Sequence, residues 1–96
     1  MNEAAREKLI RAQMAGVEQV KGRLGEGKAL CAIGVLLNWE NWRMAHWKDL
    51  ETRWGVSFSQ AVPCPECGER RREANLIAHL NDEHEFDFLT IARKMP

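Results

Sequence analysis

The chain contains Cys64-x2-Cys67-x11-His79-x4-His84, and no other feature restricts its folding as tightly. Two cysteines separated by two residues let one turn aim both thiolates at a common point. Gly68 eases that turn, because backbone of this kind often needs positive φ. Two histidines at this separation project from one helix end toward the same point. Four donors of sulfur and imidazole are the ligand set of structural zinc. We therefore read Cys64, Cys67, His79 and His84 as the ligands of one Zn ion. The competing readings are a reduced CxxC beside two unrelated histidines, and a redox CxxC. The latter needs a thioredoxin-like strand and helix, and none is evident around residue 64.

A site of this kind matters to a chain of 96 residues, which buries a limited share of its surface. Four-ligand zinc contributes on the order of 10 kcal/mol to folding, exceeding the margin expected of a small domain. Chelation is therefore expected to melt at least residues 62–96. With every coordination position filled by the chain, no position is left for a reacting water. The stretch from His79 to His84 is not HExxH, and Gly22 to Lys28 lacks the spacing and terminal Ser/Thr of a phosphate loop. We expect a protein that is not an enzyme. Asp82 and Glu83, lying between the histidines, are candidates to orient an imidazole.

The apolar pattern favours helices. Leu9, Ile10, Met14, Val17, Val20 and Leu24 fall mainly three and four apart, which predicts an amphipathic helix over residues 2–24. Gly25-Glu26-Gly27 is a break. Ala29 to Leu37 is an unbroken apolar run and reads as a short buried helix, with Cys31 a core thiol. Asn38 or Asn41 can cap a helix over residues 39–54, with Trp39, Trp42, Trp47, Leu50 and Trp54 on one side and His46 packed or at the surface. Gly55 stops it. Val56, Phe58 and Val62 suggest an extended stretch, residues 71–83 a helix with Leu76, Ile77 and Leu80 inward, and Asp87 the cap of a last short helix reaching Met95. The expected architecture is mainly α: one small helical domain over residues 1–96. Its helical part spans 1–55, and a zinc-finger-like part, a short strand and turn plus a helix, spans 56–96.

Over residues 62–85 the chain resembles the two-Cys, two-His zinc-finger class. Leu76 stands three before His79, where such fingers place a core leucine. Two departures are plain. The inter-pair loop is one residue short, and the aromatic expected between Cys67 and Leu76 is replaced by Arg70, Arg71 and Arg72. The finger core must then borrow apolar surface, and the tryptophan helix is the expected lender. The run Leu76 to His84, followed by Phe86, and the segment Leu30-Cys31-Ala32-Ile33-Gly34 are similar to small bacteriophage and bacterial proteins with a paired-cysteine turn and an HLNDxH stretch. That resemblance implies a phage or prophage source and the zinc site, and it implies no activity.

Charge bears on partners. Fourteen basic and fourteen acidic side chains balance, and residues 63–96 carry five basic against seven acidic groups. A nucleic-acid binder usually carries a basic surplus. Four tryptophans fall within residues 39–54; most are expected in the core, with one or two exposed at an interface. We expect a module that binds a protein partner or itself, with Trp39, Trp42, Trp47, Arg70, Arg71, Arg72 and Asn75 as candidate contacts. The alternative is a nucleic-acid-binding regulator whose finger helix reads bases through Arg72, Asn75 and Ala78. The odd cysteine count, with two thiols given to metal, fits a reduced cytoplasmic setting. The nine-residue apolar run is too short to cross a bilayer, so no membrane association is expected.

Overall fold

Asn2 opens the first helix: its side-chain oxygen accepts the amide of Ala5 at 2.9 Å, satisfying one of the donors a helix start leaves unpaired. The computed structural model describes residues 1–39 and 47–96 of the chain. The expectations for Asn41, Trp42 and His46 lie outside the described residues. Helix α1 runs Glu3–Met14 and buries Ala5, Leu9 and Ala12. It ends ten residues before the expected Leu24. Gly16 takes φ +74°, a left-handed geometry that terminates the spiral, and the Val17 amide bonds back to Ala12. Val17, Val20 and Leu24 still turn partly inward, but from extended chain. Met14, expected on the apolar face, is 82% exposed.

Residues 25–30 form a small ribbon rather than a plain break. Strand β1 (Gly25–Glu26) pairs antiparallel with β2 (Ala29–Leu30), and Gln19 bridges Leu30 on the other side. The predicted helix over 29–37 therefore begins later, as α2 (Ala32–Leu37). Cys31 caps it through sulfur, accepting the Gly34 amide at 3.3 Å. All six residues of α2 are buried. Asn38 ends it in the left-handed region, at φ 51°. A cap on residue 38 was expected to start a helix, and here it stops one.

Of the predicted 39–54 helix, the described residues contain α3, Lys48–Thr52. Trp54 lies beyond its end, buried, and Gly55 follows at φ +65°. The extended stretch becomes β3 (Ala61–Pro63), paired antiparallel with β4 (Arg70–Arg72) in the register Ala61↔Arg72, Val62↔Arg71 and Pro63↔Arg70. Arg71 and Arg72, expected in the finger helix, belong to this strand. Pairing with a partner nine residues away overrides local helix preference here. Helix α4 follows as Glu73–Asp82 and α5 as Phe88–Lys94, the latter capped by Asp87 as expected.

One apolar cluster joins these pieces. Leu9, Leu36, Leu50, Leu76, Leu80, Phe88 and Ile91 are fully buried in it. Each such side chain contributes about 1.5–3 kcal/mol of transfer free energy. Helix α1 packs on α2 and α5, and α4 packs on α2 and α5. Apolar surface for α4 is thus lent by α2 from outside residues 56–96 and by α5 from within them; α3, the described piece of the expected lender, packs on α2. The reason is the left-handed turn at Glu85, φ 57°, which folds α5 back so that Phe88 and Ile91 enter the cluster. Arg6 of α1 fastens that arrangement by donating to the carbonyls of Ala92 and Met95 at the end of α5.

Candidate metal centre

The hairpin β3–β4 turns through Cys64 to Gly68. The Cys64 amide donates to Glu69 at 2.8 Å and the Gly68 amide donates to Cys64 at 2.9 Å. Gly68 sits at φ +77°, where a side chain is disfavoured. The tight loop presents both sulfurs on one side. Opposite it, His79 stands in the last turn of α4, and the chain winds on so that the amides of Glu83 and His84 both return to the His79 carbonyl. That extra turn is what carries His84 back beside His79.

The result is one four-donor cluster. The ligand atoms of Cys64, Cys67, His79 and His84 all lie within 4.8 Å of one another. Cys64 Sγ is 3.5 Å from His84 Nε2, Cys67 Sγ is 3.3 Å from His79 Nε2, and the two Nε2 atoms are 3.0 Å apart. The imidazoles meet edge to face, with centroids 4.6 Å apart and planes at 89°. The arrangement is compatible with a two-Cys, two-His metal site. Cys64 and His79 are buried, His84 is half-buried and Cys67 is exposed.

Neighbouring groups hold the rings. A Glu83 carboxylate oxygen lies against His79 Nδ1, the nitrogen facing away from the cluster, close enough for an ion pair but without the alignment of a hydrogen bond. The other acid between the histidines, Asp82, instead accepts the Gly22 amide at 3.0 Å. Phe86 stacks on His84 with centroids 5.7 Å apart. The finger class places its aromatic before the helix; this chain sets Phe86 against the second histidine from behind it. Arg71 links the hairpin to the far side of the site, at 2.8 Å from Glu69 and 3.6 Å from Glu83. Its guanidinium holds the Glu69 carboxyl below the usual carboxylate range.

Of the candidate contact residues, Trp47 and Asn75 line one cleft, and Arg70, Arg71 and Arg72 are not part of it. Arg70 points along the hairpin and donates to the Ala61 carbonyl at 3.1 Å. Arg71 is engaged by carboxylates, while Arg72 and Asn75 are exposed. Asn75 and Ala78 line a shallow cleft together with Asp82 and Glu83. Trp39 is half-buried, its ring over Gly25 so closely that any side chain there would collide with it. Trp47 is exposed, and Trp42 lies outside the described residues.

Asn81 is the residue that sequence reasoning missed. It is completely buried in α4 and joins three segments. Its oxygen accepts from Gln19 Nε2 at 2.7 Å and from the Ala32 amide at 3.0 Å, and its Nδ2 donates to the Val20 carbonyl at 2.9 Å. The available signal was a polar residue directly after Leu80 in the apolar register of the helix.

Comparison with protein-family models, with curated proteins and with solved structures gives no match. Among the described residues, no helix is long and apolar enough to cross a membrane.

Proposed function

We propose that the chain is a non-enzymatic binding module, stabilised by zinc and acting through contacts with a protein partner or with a second copy of itself. The observation that carries this reading is the convergence of four protein donors on one point. Zinc–sulfur and zinc–nitrogen bonds of about 2.3 Å and 2.0–2.1 Å imply tetrahedral edges of about 3.3–3.8 Å. The separations of 3.0, 3.3 and 3.5 Å fall at or just below that range. Two sulfurs with two imidazoles suit zinc better than a hard cation. A zinc ion held by Cys64, Cys67, His79 and His84 would act as a cross-link between the hairpin and α4. Four protein ligands leave no corner for substrate, which argues for a scaffold rather than a catalyst.

The work then falls to the surface. Trp47 is 47% exposed, and with Phe58, Leu24, Ile33 and Ala78 it lines a cleft of about 300 Å³. Exposed aromatics beside apolar walls are common anchors at protein interfaces. The balanced charge supports a protein partner over nucleic acid. So does the position of Asp82 and Glu83 beside Asn75 and Ala78, where a phosphate backbone would meet carboxylates. The resemblance to small phage and bacterial proteins adds a phage or prophage source to the proposal. Thiolate ligands favour a reducing cytoplasm.

Light scattering during size exclusion, together with capture from a lysate of the native host, tests the reading. We expect a stable oligomer or a captured host protein. A strict monomer that captures nothing counts against the module. Retention of mixed DNA that collapses steeply with salt would put the nucleic-acid regulator in its place.

A further inference from the structure

On the face of α1 away from α5, a cleft of about 440 Å³ is lined by Ala4, Glu7, Lys8, Arg11, Arg53 and Trp54. Three cations meet one carboxylate there, in a chain whose total charge is zero. The floor is fixed. Asn2 donates from its amide to the Trp54 carbonyl and from its side chain to the Arg53 carbonyl, both at 2.9 Å, pinning residues 53–54 to the start of α1. Lys8 Nζ lies 5.0 Å from the centroid of the Trp54 ring, and the Arg53 guanidinium lies 4.9 Å from it. The indole thus collects two like charges at one place.

Two further observations bear on what this arrangement receives. Trp54 is 6% exposed, yet its indole N–H finds no hydrogen-bond partner among the described residues. The donor has almost no exposed surface, so it reports on the ring's surroundings and is not itself a contact of a docked group. Burial, and then the charge of Arg53, also hold the Lys8 ammonium below its ordinary range. An arriving anion would offset the mutual repulsion of Lys8 and Arg53.

We infer that this cleft is a docking site for an acidic peptide segment of a protein partner, with Lys8 and Arg53 receiving its carboxylates beside the Trp54 indole. The inference rests on the protein-partner reading and deepens it by naming the partner's chemistry. A run of carboxylates fits better than a nucleic-acid backbone. Glu7 sits on the wall of the cleft, and the chain as a whole carries no basic surplus. Glu7 is occupied with Arg11, 3.2 Å away; Lys8 and Arg53 are the cations turned to the indole, and Lys8 also donates to the Asn38 side-chain oxygen, a bond that a carboxylate would compete with.

The test is a nuclear magnetic resonance titration of the zinc-loaded full chain with hexaglutamate, following the indole N–H of Trp54, assigned by its loss in Trp54→Phe. We expect a saturable shift of that signal. Lys8→Gln and Arg53→Gln should each weaken binding about fivefold, and Glu7→Gln should strengthen it, a gain that misfolding cannot mimic. No shift, an equal affinity in the Lys8→Gln/Arg53→Gln double variant, or equally tight binding of inorganic phosphate or an oligonucleotide would overturn the inference. Capture from host lysate separates it from the broader reading. A partner retained equally by wild type and double variant removes the cleft and leaves the module. Wild type that captures nothing and stays monomeric removes the module itself.

Discussion

Asn81 in α4 accepts a hydrogen bond from the backbone amide of Ala32, the first residue of α2, at 3.0 Å in the buried core. The same side chain reaches Val20 and Gln19, so one amide ties the helix that carries His79 to two segments more than forty residues earlier. Asn81→Ala would leave the Ala32 amide and the Val20 carbonyl without partners. Stranding a buried polar group costs about 1–3 kcal/mol. We predict a loss at the upper end of that range in denaturant unfolding, against a change near zero for the exposed Asn75→Ala.

Glu83 supports the site without belonging to the four donors. Its carboxylate against His79 Nδ1 favours the tautomer that presents Nε2 to the cluster. Glu83→Gln should therefore lower zinc affinity by about 10- to 100-fold while leaving the stoichiometry at one. Competition with a chromophoric chelator measures it. Unchanged affinity would mean that the His79 ring is held by packing alone.

How much of this was legible beforehand varies by residue, and the reason is range. The four donors were readable because ligand type and spacing are chemical facts of the sequence. The Asp87 cap was readable because its partner, the Thr90 amide, is three residues away. The end of α1 was not: Val17, Val20 and Leu24 keep helical spacing, and that spacing cannot distinguish a helix from extended chain whose side chains also turn inward. Arg71 and Arg72 were read into a helix because their strand partners, Val62 and Ala61, lie across the cysteine turn. Asn81 was missed because burial of a polar side chain depends on what two distant segments, at Gln19–Val20 and at Ala32, offer it.

Gly34 gives physical content to the Leu30–Gly34 segment. A Cβ built there would lie 2.1 Å from the Leu24 carbonyl oxygen, which is backbone and already accepts the Cys31 amide. The ribbon and α2 can approach this closely only without a side chain. Gly34→Ala should cost about 1–3 kcal/mol, as overpacking does, despite the better helix propensity of alanine. A thermal midpoint equal to or above wild type would contradict that contact.

Asp87 predicts a pH effect. Its bonds to the Thr90 hydroxyl and amide hold the carboxyl below its ordinary 3.8. A depressed carboxylate contributes stability that is full above the unfolded value, about pH 4, and is lost as pH falls through the folded value. Asp87→Asn keeps a capping oxygen but cannot titrate. The stability advantage of wild type over Asp87→Asn should therefore shrink as pH is lowered toward and below about 4, read over the range where both proteins still unfold cooperatively.

Metal analysis of the purified protein by native mass spectrometry, with X-ray absorption at the zinc edge, bears on the whole account. We predict one zinc per chain with two sulfurs at about 2.3 Å and two nitrogens at about 2.0–2.1 Å, and its loss together with cooperative unfolding in Cys67→Ala. A natively folded protein that binds no metal at Cys64, Cys67, His79 and His84, or a Cys67→Ala variant that keeps one zinc and the wild-type melting curve, would contradict it.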